Sequence, residues 1–207
     1  MKSWMFAAAA IALAGCAGDS PSRMLFDQHV TTATRQNFVF CGEYGCHTRW
    51  DMTLTDAEWD RVRAVFEPPP RDAAEERQRM ALAVGLIERI IGPKTGTDID
   101  KPGATILFAS TKGQLDCIDE AHNTALYLTF MQRDGLFKWH TVGEPIIRGH
   151  VIDRWFHNTA TVIETATGTQ WVIDSWFGAN GEPADVTTAK IWESGWEPEK
   201  YKTRTDR

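Results

Sequence analysis

The chain has 207 residues, with 28 acidic and 22 basic side chains and a formal net charge of −6 at pH 7. A mildly acidic chain without a cluster of Lys and Arg has no electrostatic footprint for nucleic acid, so the composition excludes a nucleic-acid partner. Nine Trp and ten Phe give the chain a large apolar load, and we expect several of these rings to line a groove and the others to fill the core.

The first sixteen residues have the pattern of a bacterial export signal. Lys2 precedes ten apolar residues, Trp4 to Leu13. A membrane-spanning helix needs about 20 apolar residues, so this run is predicted to be a secretory signal that is absent from the folded domain. The end of the run, Leu13-Ala14-Gly15-Cys16, resembles the lipobox of bacterial lipoproteins.

This resemblance implies that residues 1–15 are removed and that Cys16, carrying palmitate or a similar lipid, becomes the first residue of the mature chain. Ala17 then favours an outer-membrane anchor facing the periplasm. The alternative is an ordinary signal peptide that ends near a cysteine. Cleavage leaves 192 of the 207 residues, and the net charge changes from −6 to −7 because Lys2 is the only charged residue lost. We expect a tether over residues 16–30 and a single domain over residues 31–207.

Two of the remaining cysteines, Cys41 and Cys46, lie close together in the sequence. Four residues separate them, and two of these are glycine. In an oxidising compartment this spacing favours a disulfide-closed loop. A zinc site that also uses His47 is the alternative, although it offers only three ligands. Cys117 is then left as a thiol with no obvious partner, which indicates a reactive cysteine.

The next two elements are predicted to be helices. Thr55 and Glu58 form a capping box for a short helix that runs to Phe66 and stops before three prolines. A longer helix follows from Asp72 to Ile91, with apolar residues on one face, and Gly92-Pro93 is predicted to end it.

A loop rich in Gly, Pro and Thr, interrupted by a short apolar run, leads to another helix that begins at Asp116 or Cys117 and closes at Asp134-Gly135. The sequence pattern then changes to one typical of strands, which we predict at Val142–Ile152, Phe156–Glu164 and Gln170–Trp176. Helices followed by strands indicate an α+β domain with N-terminal helices packed on a C-terminal antiparallel sheet. The tail from Asn180 is predicted to be a loop that returns Trp192 and Trp196 to the body of the protein.

Cys117 is the candidate nucleophile because of its position at a helix start. Unpaired N–H groups and the helix dipole favour a thiolate there, and the same N–H groups can hold an oxyanion. We therefore expect a lowered thiol pKa. A cysteine in this position can equally be a small buried hydrophobic residue.

His157 and Asp174 fall in consecutive predicted strands. A hairpin with a four-residue loop at Glu164 to Thr167 would put them opposite each other, and any loop of even length keeps them on one face of the sheet. A carboxylate there can hold the imidazole tautomer while the other ring nitrogen polarises the thiol.

The order Cys117, His157, Asp174 resembles the transglutaminase-like superfamily, a papain-like α+β arrangement. The stretch Asp116-Cys-Ile-Asp-Glu-Ala121 is similar to that of bacterial transglutaminase-like cysteine proteinases, and Trp171-Val-Ile-Asp174 is similar to one of their strand motifs. The resemblance covers about residues 75 to 180.

The resemblance implies a Cys-His-Asp hydrolase that cleaves an amide bond of a protein or peptide in the cell envelope. Cross-linking acyl transfer and a non-catalytic binding role are the alternatives. Gln114 is a candidate second oxyanion donor, although papain-like enzymes use a longer spacing. Ile118 replaces a Glu of the calcium site in the related proteinases, and we therefore predict neither a metal nor another cofactor.

Overall fold

A computed structural model describes residues 30, 32–105, 112–150 and 154–205. The predicted signal peptide, the lipid attachment site at Cys16 and the predicted tether apart from Val30 lie outside the described residues. Within the described ranges, no helix combines the length and apolarity needed to cross a membrane.

The chain is a mixed α and β protein with two antiparallel sheets. Strands β1 and β2 form a hairpin, and β3, β4, β5 and β6 form a four-stranded sheet in that order. Three helices lie between the two sheets in sequence, and two short helices follow the second. The elements in chain order are β1 (Phe38–Gly42), β2 (Thr48–Met52), α1 (Asp56–Val65), α2 (Ala73–Thr95), α3 (Cys117–Arg133), β3 (His140–His150), β4 (Arg154–Glu164), β5 (Gln170–Asp174), β6 (Asp185–Thr188), α4 (Ala189–Glu193) and α5 (Glu199–Thr205).

Helix α1 forms where local chemistry predicts it. The Thr55 hydroxyl accepts from the N–H of Glu58 at 3.3 Å, and the Glu58 carboxylate accepts from the N–H of Thr55 at 2.9 Å. This capping box satisfies two N–H groups at the helix start, and the C-cap residue is Phe66, the predicted end.

Helix α2 is longer than predicted, since it continues through Gly92 and Pro93 to Thr95. Proline has no N–H and so loses one hydrogen bond, but its fixed φ is compatible with a helix. The Thr95 hydroxyl donates to the Ile91 carbonyl at 3.2 Å and reinforces the last turn. The helix ends at Gly96, whose φ of 79° lies in the left-handed region that glycine adopts without strain.

Helix α3 lies at the centre of the protein. It packs on β4, β1 and α2, and all residues from Asp119 to Met131 are buried. The single apolar stripe predicted from the sequence therefore underestimates its burial, because the helix is covered on more than one side. Its N-terminus carries Cys117, and its C-cap is Asp134, as predicted.

The tail is not the loop predicted from the sequence. Residues Asp185–Thr188 pair with β5 as strand β6, and the Thr188 hydroxyl caps α4 by accepting from the N–H of Ile191 at 3.3 Å. Trp192 in α4 is fully buried, so its predicted return to the body of the protein is correct.

Candidate functional site

Cys117 is the first residue of α3, and a capping box surrounds it. The Asp116 carboxylate accepts from the N–H groups of Ile118 and Asp119, each at 3.0 Å, and the Asp119 carboxylate accepts from the N–H of Asp116 at 3.2 Å. This reciprocal box fixes where the helix begins and holds the thiol in its first turn.

A disulfide-closed loop packs against this helix start. Cys41 and Cys46 are bonded to each other, and the N–H groups of Tyr44 and Cys46 donate to the two oxygens of Asp119 at 2.8 and 2.6 Å. Asn123, one turn further along α3, donates to the Cys41 carbonyl at 2.8 Å and accepts from its N–H at 2.9 Å. The loop takes up both Asp119 oxygens, so this carboxylate stabilises the backbone rather than presenting oxygens to a cation.

The hairpin of β4 and β5 places His157 and Asp174 on one face of the sheet. Ile163 pairs with Gln170, and the N–H of Glu164 donates to the Thr169 carbonyl at 2.9 Å, so the four-residue loop spans 165–168, one residue later than predicted. The predicted direct opposition of His157 and Asp174 is therefore wrong by two positions. The loop length stays even, so the side chains still share a face.

His157 and Asp174 are hydrogen-bonded. His157 Nε2 lies 2.8 Å from Asp174 Oδ2, and the same oxygen accepts from the indole Nε1 of Trp192 at 2.8 Å. Both members of the pair are buried. Three aromatic rings enclose the imidazole, with centroids 4.5 Å (Trp176), 5.2 Å (Phe177) and 5.3 Å (Trp192) from its own.

The Cys117 sulfur lies against the strand that carries His157. Its thiol donates to the Phe156 carbonyl at an Sγ to oxygen distance of 3.8 Å, and Nδ2 of Asn158 donates to the sulfur at 3.7 Å. The sulfur thus contacts the residues on both sides of His157. Among the described residues, no hydrogen bond joins the Cys117 thiol to an imidazole, and His157 Nδ1 is buried with no hydrogen-bond partner.

A buried polar contact joins α3 to the end of β5. The Ser175 hydroxyl donates to Glu120 at 2.5 Å and lies 3.0 Å from the Thr124 hydroxyl. Burial, together with the nearby Asp100, raises the pKa of Glu120 well above its usual value. Because Ser175 follows Asp174 directly, this contact holds Asp174 close to the helix that carries the thiol.

The thiol pKa moves in the direction opposite to the one predicted. Burial, with a smaller contribution from Asp116, raises the pKa of Cys117 to about 12. Hydrogen bonds from the backbone and side chain of Asn158 act in the other direction, but they are the smaller effect. The prediction of a lowered pKa from the helix start was wrong because loss of solvation outweighs the partial charge of the helix terminus.

Gln114 does not have the surroundings predicted for an oxyanion donor. Its Nε2 donates to the Ile99 carbonyl at 3.0 Å, and its Oε1 accepts from the N–H of Lys101 at 3.2 Å. Both ends of the amide therefore hold the preceding loop. The spacing to Cys117, shorter than in papain-like enzymes, is consistent with this difference.

Two residues of the site were not identified from the sequence. Asn158 follows His157 directly, but its amide is unremarkable in a strand until the helix start is known to lie beside it. Trp192 is in the tail, where the high Trp content was the only signal of its importance. Neither contact is local in sequence, so neither could be found from spacing.

No protein-family model, curated protein or solved structure matches this chain. The resemblance to the transglutaminase-like superfamily therefore stays a prediction that depends on the residues quoted above.

Proposed function

We propose that the protein is a cysteine hydrolase with a transglutaminase-like, papain-like core, and that it cleaves an amide bond of a protein or peptide. One observation carries the proposal. A thiol at a helix start contacts the two neighbours of His157, whose Nε2 is bonded to Asp174 and whose Nδ1 is buried without a described partner. These are the nucleophile, the base and the residue that orients the base.

The proposed reaction assigns one step or role to each of Cys117, His157 and Asp174. Nδ1 of His157 takes the thiol proton as Cys117 Sγ attacks the amide carbonyl, which forms a C–S bond and an oxyanion. The C–N bond then breaks, and the imidazolium returns its proton to the departing amine. Water, deprotonated by the same nitrogen, hydrolyses the thioester and restores the thiol. Asp174 stabilises the imidazolium throughout.

The raised thiol pKa gives this mechanism a resting state. With a pKa of about 12 the sulfur is a neutral thiol at neutral pH, so the thiolate forms only when the imidazole accepts the proton. Reactivity then depends on His157 rather than on the helix terminus.

The proposed location is the cell envelope, with the chain anchored through lipid on Cys16 to the outer membrane and facing the periplasm. Incorporation of labelled palmitate into the full chain, and its loss in Cys16→Ser, would support this location. A chain that is exported without lipid would contradict it.

The activity is tested with the purified mature chain and a mixture of defined peptides. We expect mass spectrometry to find new peptide termini with the wild type and none with Cys117→Ser. An added primary amine distinguishes the acyl-transfer alternative, because a transferase would convert the acyl group to the amide of that amine instead of the free acid. Absence of both products would contradict the proposal.

A second candidate function is non-catalytic binding in the envelope. It is favoured by the raised thiol pKa, which keeps the sulfur neutral, and by the absence of a thiol–imidazole hydrogen bond among the described residues. In that case Cys117 would be a small core residue. A protein of this kind would leave every peptide intact, and Cys117→Ser would retain its binding partners unchanged.

A further inference from the structure

The first turn of α3 leaves one N–H group at the sulfur without an acceptor. The Asp116 carboxylate takes the N–H groups of Ile118 and Asp119, and the Asp116 carbonyl takes that of Glu120. The N–H of Cys117 is the remaining donor of this turn, and it has no acceptor among the described residues. Because unpaired N–H groups at a helix start attract negative charge, this donor suits an oxyanion formed beside the sulfur.

A second donor reaches the same place from the sheet. The Asn158 side chain is 3% exposed, and its Nδ2 lies 3.7 Å from Cys117 Sγ. It projects from the opposite face of β4 to that of His157, since neighbouring residues of a strand alternate. A carbonyl oxygen attached to the carbon that the sulfur attacks can therefore lie beside this amide.

We propose that Asn158 is a further catalytic residue, and that its Nδ2 and the Cys117 N–H together form the oxyanion hole. This inference depends on the proposed hydrolase function. It replaces Gln114, whose amide is engaged by Ile99 and Lys101, as the side-chain donor. It also names the substrate chemistry of the site, which is an acyl group whose carbonyl oxygen becomes negatively charged.

Two small electrophiles distinguish stabilisation of an oxyanion from the general reactivity of the thiol. Iodoacetamide alkylates the sulfur: the C–S bond forms as iodide leaves a saturated carbon, so no oxyanion forms. With p-nitrophenyl acetate, the sulfur bonds to the carbonyl carbon, the π electrons move to oxygen, and the oxyanion collapses to a thioester as p-nitrophenolate leaves. In both reactions His157 takes the thiol proton.

The test compares the two rates at Cys117 in the wild-type mature chain, Asn158→Ala and Asn158→Leu, the second of which keeps nearly the same volume. We expect the ratio of acylation to alkylation to fall about 100-fold in both variants, because one oxyanion donor is lost. In the matched control Gln114→Leu, we expect the ratio to stay within about twofold of the wild type, because both rates would change together.

The outcomes distinguish failure of the proposed hydrolase function from failure of the assignment of Asn158. If the wild type is alkylated at Cys117 but never acylated, the proposed hydrolase function is overturned. If the wild type is acylated and both Asn158 variants keep its rate ratio, the function stands and the assignment of Asn158 is overturned. A loss of ratio in Gln114→Leu that equals the loss in the Asn158 variants also overturns it. Circular dichroism and thermal unfolding of each variant identify any that do not fold, and the other Asn158 variant then decides.

Discussion

Two buried histidines of this protein bond to a carboxylate at the same distance, but their second ring nitrogens differ. His140 Nδ1 lies 2.8 Å from Glu76 Oε1, and its Nε2 lies 3.0 Å from Nη1 of Arg77. His157 Nε2 lies 2.8 Å from Asp174 Oδ2, while its Nδ1 has no partner among the described residues.

The surroundings of His140 fix its proton. A guanidinium only donates, so Nε2 of His140 must accept from Arg77, and the ring proton on Nδ1 goes to Glu76. Arg77 is itself held by Glu164 at 2.7 Å and lies 3.6 Å above the centroid of the Trp171 ring. Every polar atom of this histidine is used, so it is suited to stabilising the fold.

His157 has one nitrogen to spare. If Nε2–H donates to Asp174, the lone pair of the neutral ring is on Nδ1. A histidine–carboxylate pair alone is therefore weak support for catalysis. The difference lies in the second ring nitrogen. In His157 this nitrogen has no hydrogen-bond partner among the described residues, and the thiol contacts the residues before and after this histidine.

Matched substitutions test this difference most directly. We expect His157→Gln to lower the rate of Cys117 alkylation by iodoacetamide at pH 7 about 1000-fold, because the base that accepts the thiol proton is lost. His140→Gln removes the same kind of ring from a contact unrelated to the sulfur, and we expect it to change the rate less than about threefold. Equal losses in the two variants would contradict the proposed role of His157.

The pH dependence of the same reaction gives a second measurement. Burial raises the pKa of Cys117 to about 12, so in His157→Gln the thiolate fraction grows tenfold with each pH unit between pH 7 and 10. We therefore expect alkylation of this variant to rise with a slope of one in a logarithmic plot. The wild type should show a weaker pH dependence, because its His157 takes the thiol proton. Parallel lines for the two proteins would count against proton transfer to this ring.

Stability should respond in the reverse order. His140→Gln leaves Arg77 without its imidazole acceptor in a buried site, and we expect it to lower the free energy of unfolding by about 2–3 kcal/mol. His157→Gln should cost about 1 kcal/mol, since only one strong hydrogen bond is lost. Urea unfolding followed by tryptophan fluorescence measures both. A larger loss for His157→Gln would show that His157 carries the greater structural load.

Local chemistry determined the parts of the fold that could be predicted. The capping box of Thr55 and Glu58, the start of α3 at Cys117 and the shared face of His157 and Asp174 all follow from neighbours in sequence or from the two-residue period of a strand. The shift of the hairpin loop by one residue kept that shared face because its length stayed even.

The remaining features depend on contacts between distant segments. The tail becomes a strand because β5 offers an edge with which residues Asp185–Thr188 pair. The partner of His140 is Glu76, which lies 64 positions earlier in the sequence. The thiol pKa is set by burial, which no spacing in the sequence reveals.

The smallest expected effect concerns Trp192, whose indole N–H is the second donor to Asp174. The corresponding carboxylate of the other pair, Glu76, accepts from two backbone N–H groups instead. In Trp192→Phe the ring contact with His157 is largely kept, but Asp174 Oδ2 loses the indole N–H. With one hydrogen bond fewer, the carboxylate holds the imidazole less firmly, so we expect the rate of Cys117 alkylation at pH 7 to fall about fivefold.

The matched control for Trp192 is Trp196→Phe, which removes an indole N–H from the same segment without taking a donor from Asp174. We expect the alkylation rate of this variant to equal that of the wild type. If Trp192→Phe also kept the wild-type alkylation rate, Trp192 would act only as packing around His157. The difference between the two histidines would then depend on the spare nitrogen alone, because the second donor to the carboxylate would contribute nothing to it.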